Sequence, residues 1–305
     1  MPSKAERQTV EIAGRKLSIS NLDKVLYPMV GFTKAQIIDY YVRIAPTMVP
    51  HLSGRPLTMR RWPNGVNETS FFEKRSPSHR PDWIGTVIGP GRSTDDKKPI
   101  EYTVIDEVAA LAWTANLAAL ELHTPMSLGI DADTPTMVVF DLDPGAPATI
   151  VECAQVALEI RDVLDALSLE AFPKTSGSKG MQLYVPLNSP HTQEHASSFA
   201  HAVAQLLERQ LPKLVVSQMT KSVRKGKIFI DWSQNTRHKT TISPYSMRAK
   251  DRPTVSTPLT WDEVGDGADG EPLIFETADV LDRVAEHGDL FEPTLTLVQQ
   301  LPSPK

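Results

Sequence analysis

Two carboxylates separated by one residue, Asp141 and Asp143, directly follow an apolar run at residues 137–140. The run predicts a buried strand, and residues two apart on a strand point to the same face of its sheet. Carboxylates held this close repel each other and are costly to desolvate, but their hard oxygen atoms suit Mg²⁺ or Mn²⁺. Because Asp, Pro and Gly also favour turns, residues 141–145 (DLDPG) leave a metal site and an ordinary turn both open.

A glycine-containing segment, TSGSKG at residues 175–180, lies between strands predicted at 171–175 and 181–187. Its two glycines let the backbone approach a ligand closely, and its N–H groups, its hydroxyls and Lys179 suit a phosphate. The spacing is not that of a Walker A loop. A hairpin turn is the simpler interpretation of this segment alone, whereas a metal-binding carboxylate pair beside it favours a phosphate site.

A third carboxylate, Asp231, lies in an apolar strand predicted for residues 227–232. A core aspartate is costly unless it is paired or bound to metal. If the three carboxylates come from neighbouring strands, they could hold two divalent ions about 3.5–4 Å apart, the arrangement used for in-line phosphoryl displacement. One ion would then activate a 3′-hydroxyl, and the other would hold a triphosphate and stabilise the departing pyrophosphate.

The composition is that of a globular protein, with 305 residues, 40% of them hydrophobic, and a net charge of −5. Cys153 is the only cysteine, which excludes a disulfide framework and a cysteine zinc site and favours a reducing cytoplasm. The sequence contains no recognisable signal peptide and no apolar stretch of membrane length, so we expect no membrane association.

The charge is unevenly distributed along the chain. Residues 217–252 carry nine Lys or Arg against two Asp, a net +7, whereas residues 262–292 carry eleven Asp or Glu against one Arg, a net −10. The first segment predicts a basic face that binds a polyanion. For the acidic segment, a solvated surface is the simpler interpretation.

Predicted helices and strands alternate, which indicates a mixed α/β fold. Capping-box spacing opens a helix at Thr33 that runs toward His51, and another at Thr149. A polar loop is predicted for residues 89–99. The further predicted elements are helices at 107–122 and 194–211 and a strand at 57–62.

Several motifs together resemble the polymerase domain of bacterial ligase D, the end-joining enzyme, within the archaeo-eukaryotic primase superfamily. They are LDKVLYP (22–28), RRWPNGV (60–66), FFEK (71–74), LELHTP (120–125), FDLDPG (140–145), TSGSKG (175–180), DWSQN (231–235) and TTISPYSMR (240–248). The resemblance implies a primase-superfamily catalytic core of mixed and antiparallel sheets flanked by helices. It covers residues 18–290 of a single domain, 1–305, and leaves 291–305 as a C-terminal tail. With no ligase or nuclease domain in the sequence, we expect a stand-alone member.

The resemblance also implies roles for individual residues. The catalytic, metal-binding residues would be Asp141, Asp143 and Asp231. The nucleotide-binding residues would be Arg60, Phe71, Phe72, His123, Ser176, Lys179, Gln182 and Arg248. The 5′-phosphate of a DNA end would be bound by Asn21, Lys24 and Lys34, and the primer and template by Arg224 and Gln234. The loop at 91–98 would contact the template strand, although its Asp95–Asp96 pair fits that role poorly.

Gln182 departs from the superfamily pattern, which usually has histidine after the glycine turn. Glutamine can donate and accept hydrogen bonds but cannot supply positive charge. We expect activity to be retained, because the three aspartates and Lys179 are present.

The implied activity is template-dependent nucleotidyl transfer, adding nucleotides from NTP or dNTP to a primer 3′-end with two Mn²⁺ or Mg²⁺ ions. The implied partners are gapped or broken double-stranded DNA with a 5′-phosphate and, separately, a ligase and end-binding proteins. We expect a monomer in the bacterial cytoplasm, associated with the nucleoid when bound to DNA.

Two other functional classes are compatible with the residues. The VVFDLD segment at 138–143 is similar to the opening of a haloacid-dehalogenase-type phosphatase, but that family usually has Gly-Thr after the second aspartate, near the N-terminus. The second alternative is a catalytically inactive DNA-end-binding protein. Release of phosphate would support the first, and metal-independent binding without nucleotide incorporation would support the second.

Overall fold

Two β-sheets, each covered by helices, organise the protein, and the computed structural model describes residues 7–91 and 99–303. The strands are β1 (Arg7–Ile12), β2 (Arg15–Ser20), β3 (Val25–Tyr27), β4 (Phe32–Thr33), β5 (Thr58–Arg61), β6 (Phe71–Glu73), β7 (Thr86–Gly89), β8 (Ile100–Thr103), β9 (Ala119–Thr124), β10 (Ser127–Leu128), β11 (Asp131–Pro135), β12 (Met137–Pro144), β13 (Phe172–Thr175), β14 (Met181–Pro186), β15 (Val215–Val216), β16 (Ile228–Asp231) and β17 (Thr241–Ile242). The α-helices are α1 (Lys34–Leu52), α2 (Val108–Asn116), α3 (Ile150–Asp165), α4 (Gln193–Gln210), α5 (Trp261–Ala268), α6 (Thr277–His287) and α7 (Pro293–Thr296).

The first sheet has the strand order β13-β14-β12-β16-β15, with β12 antiparallel to both of its neighbours. Alternate β12 side chains, Val138, Phe140 and Leu142, are buried in one apolar cluster with residues of α3 and α4. The intervening residues point to the opposite face. There, Val139 packs in a small cluster with Tyr184, while Asp141 occupies the same face further along the strand.

The second sheet has the order β17-β9-β5-β6. Its core is shared with α1 and α2, whose buried side chains join those of β5 and β9 in a separate apolar cluster. Thr33 caps α1 and Thr149 caps α3 with the reciprocal hydrogen bonds of a capping box, as predicted. These caps fix the residue at which each helix begins.

The single helix predicted for residues 107–122 is wrong. The helix α2 ends at Asn116, Ala118 adopts a left-handed φ of 56°, and β9 then pairs with β5. Both faces of β9 are largely buried, so its apolar run carries no alternation that would distinguish a strand from a buried helix. The correction matters because β9 carries two residues of the candidate site, Glu121 and His123.

The segment after residue 290, predicted as a tail, packs against the first sheet as far as it is described. Phe291 is buried against Tyr184, and Gln299 donates to the carbonyl of Pro186 at the end of β14. The predicted mixed α/β architecture is confirmed. Within residues 7–91 and 99–303, no helix is both long and apolar enough to cross a membrane.

Candidate active site

The three predicted catalytic carboxylates are brought onto one face of the first sheet. Asp141 on β12 lies directly opposite Asp231 on β16, although the two are 90 residues apart in the chain. Directly opposed residues of antiparallel strands point to the same face, with Cβ atoms roughly 5 Å apart. Asp143 lies two residues along β12 and therefore shares that face. The strand register thus assembles the carboxylate cluster.

The environment of Asp141 and Asp143 resists the ionisation of these two carboxyl groups. Burial raises the pKa of Asp141, and the charges of Asp143 and Asp231 raise it further, against a hydrogen bond from Gln182. Burial and Asp231 also raise the pKa of Asp143, while Arg224 and Arg248 oppose the rise. Three carboxylates this close together, partly removed from solvent, are the arrangement that a divalent cation stabilises.

The donor set consists of carboxylate oxygens only, which fits Mg²⁺ or Mn²⁺. The three carboxylates share a face, but among the described residues no three His, Cys, Asp or Glu side chains are arranged as a ready ligand group. Both oxygens of Asp231 accept hydrogen bonds, Oδ1 from Ser233 Oγ at 2.6 Å and Oδ2 from Gln234 Nε2 at 2.8 Å. Gln234, predicted to contact primer or template, is thus hydrogen-bonded to Asp231.

The glycine turn between β13 and β14 lies beside this face. Ser176 closes it: its hydroxyl accepts from the N–H of Ser178 and of Gly180, at 3.3 and 3.1 Å. These two N–H groups are therefore satisfied within the turn, in contrast to the open cradle of N–H groups that the sequence predicts. A Cβ at Gly180 would lie 2.1 Å from the carbonyl oxygen of Leu142, so glycine is required where the turn meets β12.

Cationic side chains from three segments approach one another beside the turn. Lys179 is exposed on the turn, and Lys250, also exposed, lies within electrostatic range of Lys179, Arg248 and Arg60. Partial desolvation lowers the pKa of Lys250, and these three cations lower it further. Lys250 was not predicted from the sequence, although its position two residues after the predicted nucleotide-binding residue Arg248 could have indicated it. Together, these residues form a cationic surface whose charge suits an anion.

A buried carboxylate that sequence reasoning also missed, Glu121 on β9, joins three predicted nucleotide-binding residues. Its Oε2 lies 3.1 Å from His123 Nε2 and 3.6 Å from Arg60 Nη1, and its Oε1 lies 3.1 Å from Arg248 Nε in an ion pair. Burial alone would raise the pKa of Glu121, but His123, Arg248 and Arg60 together lower it to about 2. Burial lowers the pKa of His123, and Glu121 partly offsets this effect.

Phe71 and Phe72, predicted to stack on bases, are 45% and 60% exposed on the edge strand β6. Exposure of adjacent aromatic rings is unfavourable in water and is typical of a binding surface. The Arg60 guanidinium lies 5.1 Å from the Phe72 ring centre, and His123 meets the same ring edge-on at 6.1 Å. Phe72 therefore adjoins the Glu121 cluster.

The residues predicted to bind a 5′-phosphate also lie together. The turn from Asn21 to Lys24 is closed by a backbone hydrogen bond, and the backbone N–H of Lys34 donates to the Lys24 carbonyl. Lys24 Nζ reaches Asn64 and Lys34 Nζ donates to the Ser20 carbonyl, at 2.9 and 2.6 Å. Burial, together with Lys24 and Arg61, lowers the pKa of Lys34 to about 8. Lys34 is buried, Lys24 is half-buried and Asn21 is exposed.

Arg224 lies in the basic segment that precedes β16, close to the carboxylate strand. Its guanidinium stacks 3.5 Å from the Phe229 ring centre, and its carbonyl oxygen occupies the space that a Cβ on Gly145 would need. The glycine of the DLDPG segment therefore permits this loop to pack against the end of β12. Of the loop at 91–98, predicted to contact the template strand, residues 92–98 lie outside the described residues.

Comparisons with known proteins identify relatives of this chain. A sequence model described as LigD, primase-polymerase domain, matches residues 33–291. The multifunctional non-homologous end joining protein LigD of Mycolicibacterium smegmatis is 48% identical over 91% of this chain, and the bifunctional LigD of Bacillus subtilis is 31% identical over 94%. This chain spans 36% and 47%, respectively, of those two proteins.

A solved structure shares the fold over nearly the whole described chain. It is the polymerase domain from Mycobacterium tuberculosis ligase D in complex with DNA, with a TM-score of 0.85 and 43% sequence identity. The match covers 93% of this chain and 99% of that one. On the extent of the sequence match and the shared fold, this chain belongs to the LigD primase-polymerase domain family.

Proposed function

We propose that this protein is a template-dependent nucleotidyltransferase that extends a primer 3′-end at short gaps or broken DNA ends. The observation that carries the proposal is the placement of Asp141, Asp143 and Asp231 on one sheet face. The match to the primase-polymerase family supports polymerisation and argues against the haloacid-dehalogenase-like phosphatase. The solved relative is a complex with DNA, which supports DNA as the polymer that this chain binds.

Each group of site residues has a role in this reaction. Bound at the three aspartates, two Mn²⁺ or Mg²⁺ ions would supply Lewis-acid activation of the 3′-hydroxyl and charge stabilisation of the pyrophosphate. Lys179, Arg248 and Ser176 bind the triphosphate of an NTP or dNTP. Phe71 and Phe72 provide flat surfaces for bases. The nucleotide is further bounded by Arg60 and His123, both oriented by Glu121.

DNA is held outside the reacting centre. Asn21, Lys24 and Lys34 bind the 5′-phosphate on the far side of a gap: Asn21 is exposed, Lys24 is half-buried, and the buried Lys34 lies directly beside Lys24. Arg224 contacts the primer or template beside Asp143. Because these contacts are largely electrostatic, binding weakens as salt concentration rises.

The names of the relatives place them in non-homologous end joining, and we propose the same process for this chain. It would act as a monomer in the bacterial cytoplasm, associated with the nucleoid on DNA, with residues 18–290 forming the polymerase core. A ligase and end-binding proteins would complete the repair.

Gap filling tests the proposal directly. The wild-type protein, given Mn²⁺, NTP or dNTP and a gapped duplex with a 5′-phosphate, should extend the primer and release pyrophosphate. The double variant Asp141→Ala, Asp143→Ala should lose this activity. A matched control is Asp131→Ala, Asp133→Ala, which removes a second Asp-x-Asp pair from β11 and should retain activity.

Three results would contradict the proposal. A wild-type protein that incorporates no nucleotide but binds DNA ends equally with and without metal is an inactive end binder. Release of inorganic phosphate in place of pyrophosphate identifies a phosphatase. Equal incorporation by wild type and the Asp141→Ala, Asp143→Ala variant shows that the carboxylate cluster is not needed for nucleotide transfer.

A further inference from the structure

Four polar residues form a row across the face of the first sheet that carries the carboxylates. Lys174 on β13 lies directly opposite Gln182 on β14, Gln182 opposite Asp141 on β12, and Asp141 opposite Asp231 on β16. Directly opposed residues on antiparallel strands share a face and are close enough for their side chains to interact. The row therefore connects the carboxylate cluster to a lysine on the edge strand.

The hydrogen bonds along the row all donate from Lys174 toward Asp141. Lys174 Nζ lies 2.6 Å from Gln182 Oε1 and 2.6 Å from Ser256 Oγ, and Gln182 Nε2 lies 3.0 Å from Asp141 Oδ1. Ser256 Oγ donates its own proton to the carbonyl of Thr175, at 2.8 Å, so it accepts from Lys174. Lys174 thus donates at both of its contacts.

This network sets the orientation of the Gln182 amide. An ammonium group has donors and no acceptor, so the amide oxygen faces Lys174 and the amide NH₂ faces Asp141. Burial lowers the pKa of Lys174. The orientation does not depend on that proton, because a neutral amine still has two N–H groups for its two acceptors. Lys174 is 0% exposed and Gln182 is 3% exposed, so solvent does not compete for these bonds.

We propose that Lys174 is a positioning residue for metal binding, acting through Gln182 on Asp141. The fixed NH₂ group donates to Oδ1 of Asp141 and so holds the carboxylate in one orientation, which leaves Oδ2 to bind a cation. Gln182, predicted as a nucleotide contact, is in this arrangement a partner of the metal-binding carboxylate. A neutral amide of fixed direction then serves where the superfamily usually has histidine. The inference rests on the proposed function for the role of Asp141.

Substitution of the two residues singly and together tests the proposal. Lys174→Met preserves length without a donor, and should weaken Mn²⁺ binding several-fold by freeing the amide. Gln182→Leu removes the donor to Asp141 and should weaken Mn²⁺ binding by about ten-fold or more, the usual effect of losing a group that orients a metal ligand. It should also lower stability, because Lys174 is left buried without its amide partner.

The double variant Lys174→Met, Gln182→Leu separates positioning from folding. Replacing both partners by apolar groups of similar shape should recover thermal stability, because the buried amine no longer lacks a partner. Mn²⁺ binding should remain as weak as in Gln182→Leu. Gln299→Leu is the matched control: it removes a buried amide at the other end of β14 and should lower stability with Mn²⁺ affinity unchanged.

Mn²⁺ binding to the protein alone is measured by electron paramagnetic resonance of the free ion, with stability measured by thermal unfolding and activity by gap filling. Unchanged Mn²⁺ affinity in folded Lys174→Met overturns the proposal. An equal effect of Lys174→Met in the wild-type and Gln182→Leu backgrounds also overturns it, since Lys174 would then act independently of Gln182. Either result leaves wild-type gap filling intact, whereas absence of wild-type incorporation contradicts the proposed function itself.

Discussion

Glu121→Gln is the substitution for which the structure makes the most quantitative prediction. Glutamine keeps the shape of the side chain and removes its charge. Glu121 is 2% exposed and lies within 3.6 Å of nitrogen atoms of Arg60, His123 and Arg248. The substitution therefore leaves the half-buried guanidinium groups of Arg60 and Arg248 without their anion, which is a strongly destabilising change.

The size of the effect follows from the pKa of Glu121, which falls from an ordinary value of 4.5 to about 2. At about 1.4 kcal/mol per pH unit, this difference corresponds to roughly 3 kcal/mol of folding stability near pH 7. Because the folded pKa lies below the unfolded one, this stabilisation is complete above about pH 4.5 and is lost as pH falls toward 2. At pH 3.5, roughly 2 kcal/mol should remain.

Urea unfolding of wild type and Glu121→Gln, at pH 7 and at pH 3.5, measures this difference. The gap in free energy of unfolding should be about 3 kcal/mol at pH 7 and shrink to about 2 kcal/mol at pH 3.5. Glu73→Gln is the control, since Glu73, half-buried on the edge strand β6, forms a single ion pair among the described residues, with Arg61, and should contribute less than about 1 kcal/mol. A gap below about 1 kcal/mol at pH 7, or one that does not narrow in acid, refutes the reasoning.

Three further predictions address the glycine turn, the aromatic edge and the DNA-end site. Gly180→Ala places a Cβ 2.1 Å from the Leu142 carbonyl oxygen and should cost about 1–3 kcal/mol in unfolding experiments; an unchanged melting temperature would contradict the close approach. Phe72→Ala should weaken substrate binding by about 1–3 kcal/mol, seen as a higher KM with kcat retained; an unchanged KM would exclude stacking at this ring. Lys24→Ala should reduce the preference for a 5′-phosphate over a 5′-hydroxyl in gap filling, most strongly at low salt. An equal loss on both substrates would argue against a phosphate contact.

The family resemblance and the principal carboxylates could be recognised from the sequence. The apolar run before Asp141 predicts its strand, and the two-residue spacing places Asp143 on the same face as Asp141. The helix starts at Thr33 and Thr149 were also predictable, because a capping box is a local arrangement of side chain and backbone. These features depend on neighbours within a few residues in the chain.

Other features depend on which strands become neighbours. The helix predicted through residue 122 was wrong because an apolar run buried on both faces carries no periodicity to separate helix from strand. In the sequence, Glu121 is a single charged residue in an apolar run, and nothing local indicates its partners. In the structure, β9 places it between Arg60 and Arg248. Likewise, nothing local relates Lys174 to Asp141.

The sequence by itself therefore determined the chemical groups and the local backbone where short-range signals are strong, as at the helix caps and the Asp141 strand, whereas the tertiary structure decided which groups meet. Asp141 faces Asp231 because β12 and β16 pair in one register, and a shift by one residue would send an entire row of side chains to the other face. That register is set by the apolar residues packed under α3 and α4, which alternate with the carboxylates along β12 and precede Asp231 on β16. The electrostatics of the site thus depend on the packing of apolar core residues that carry no charged group.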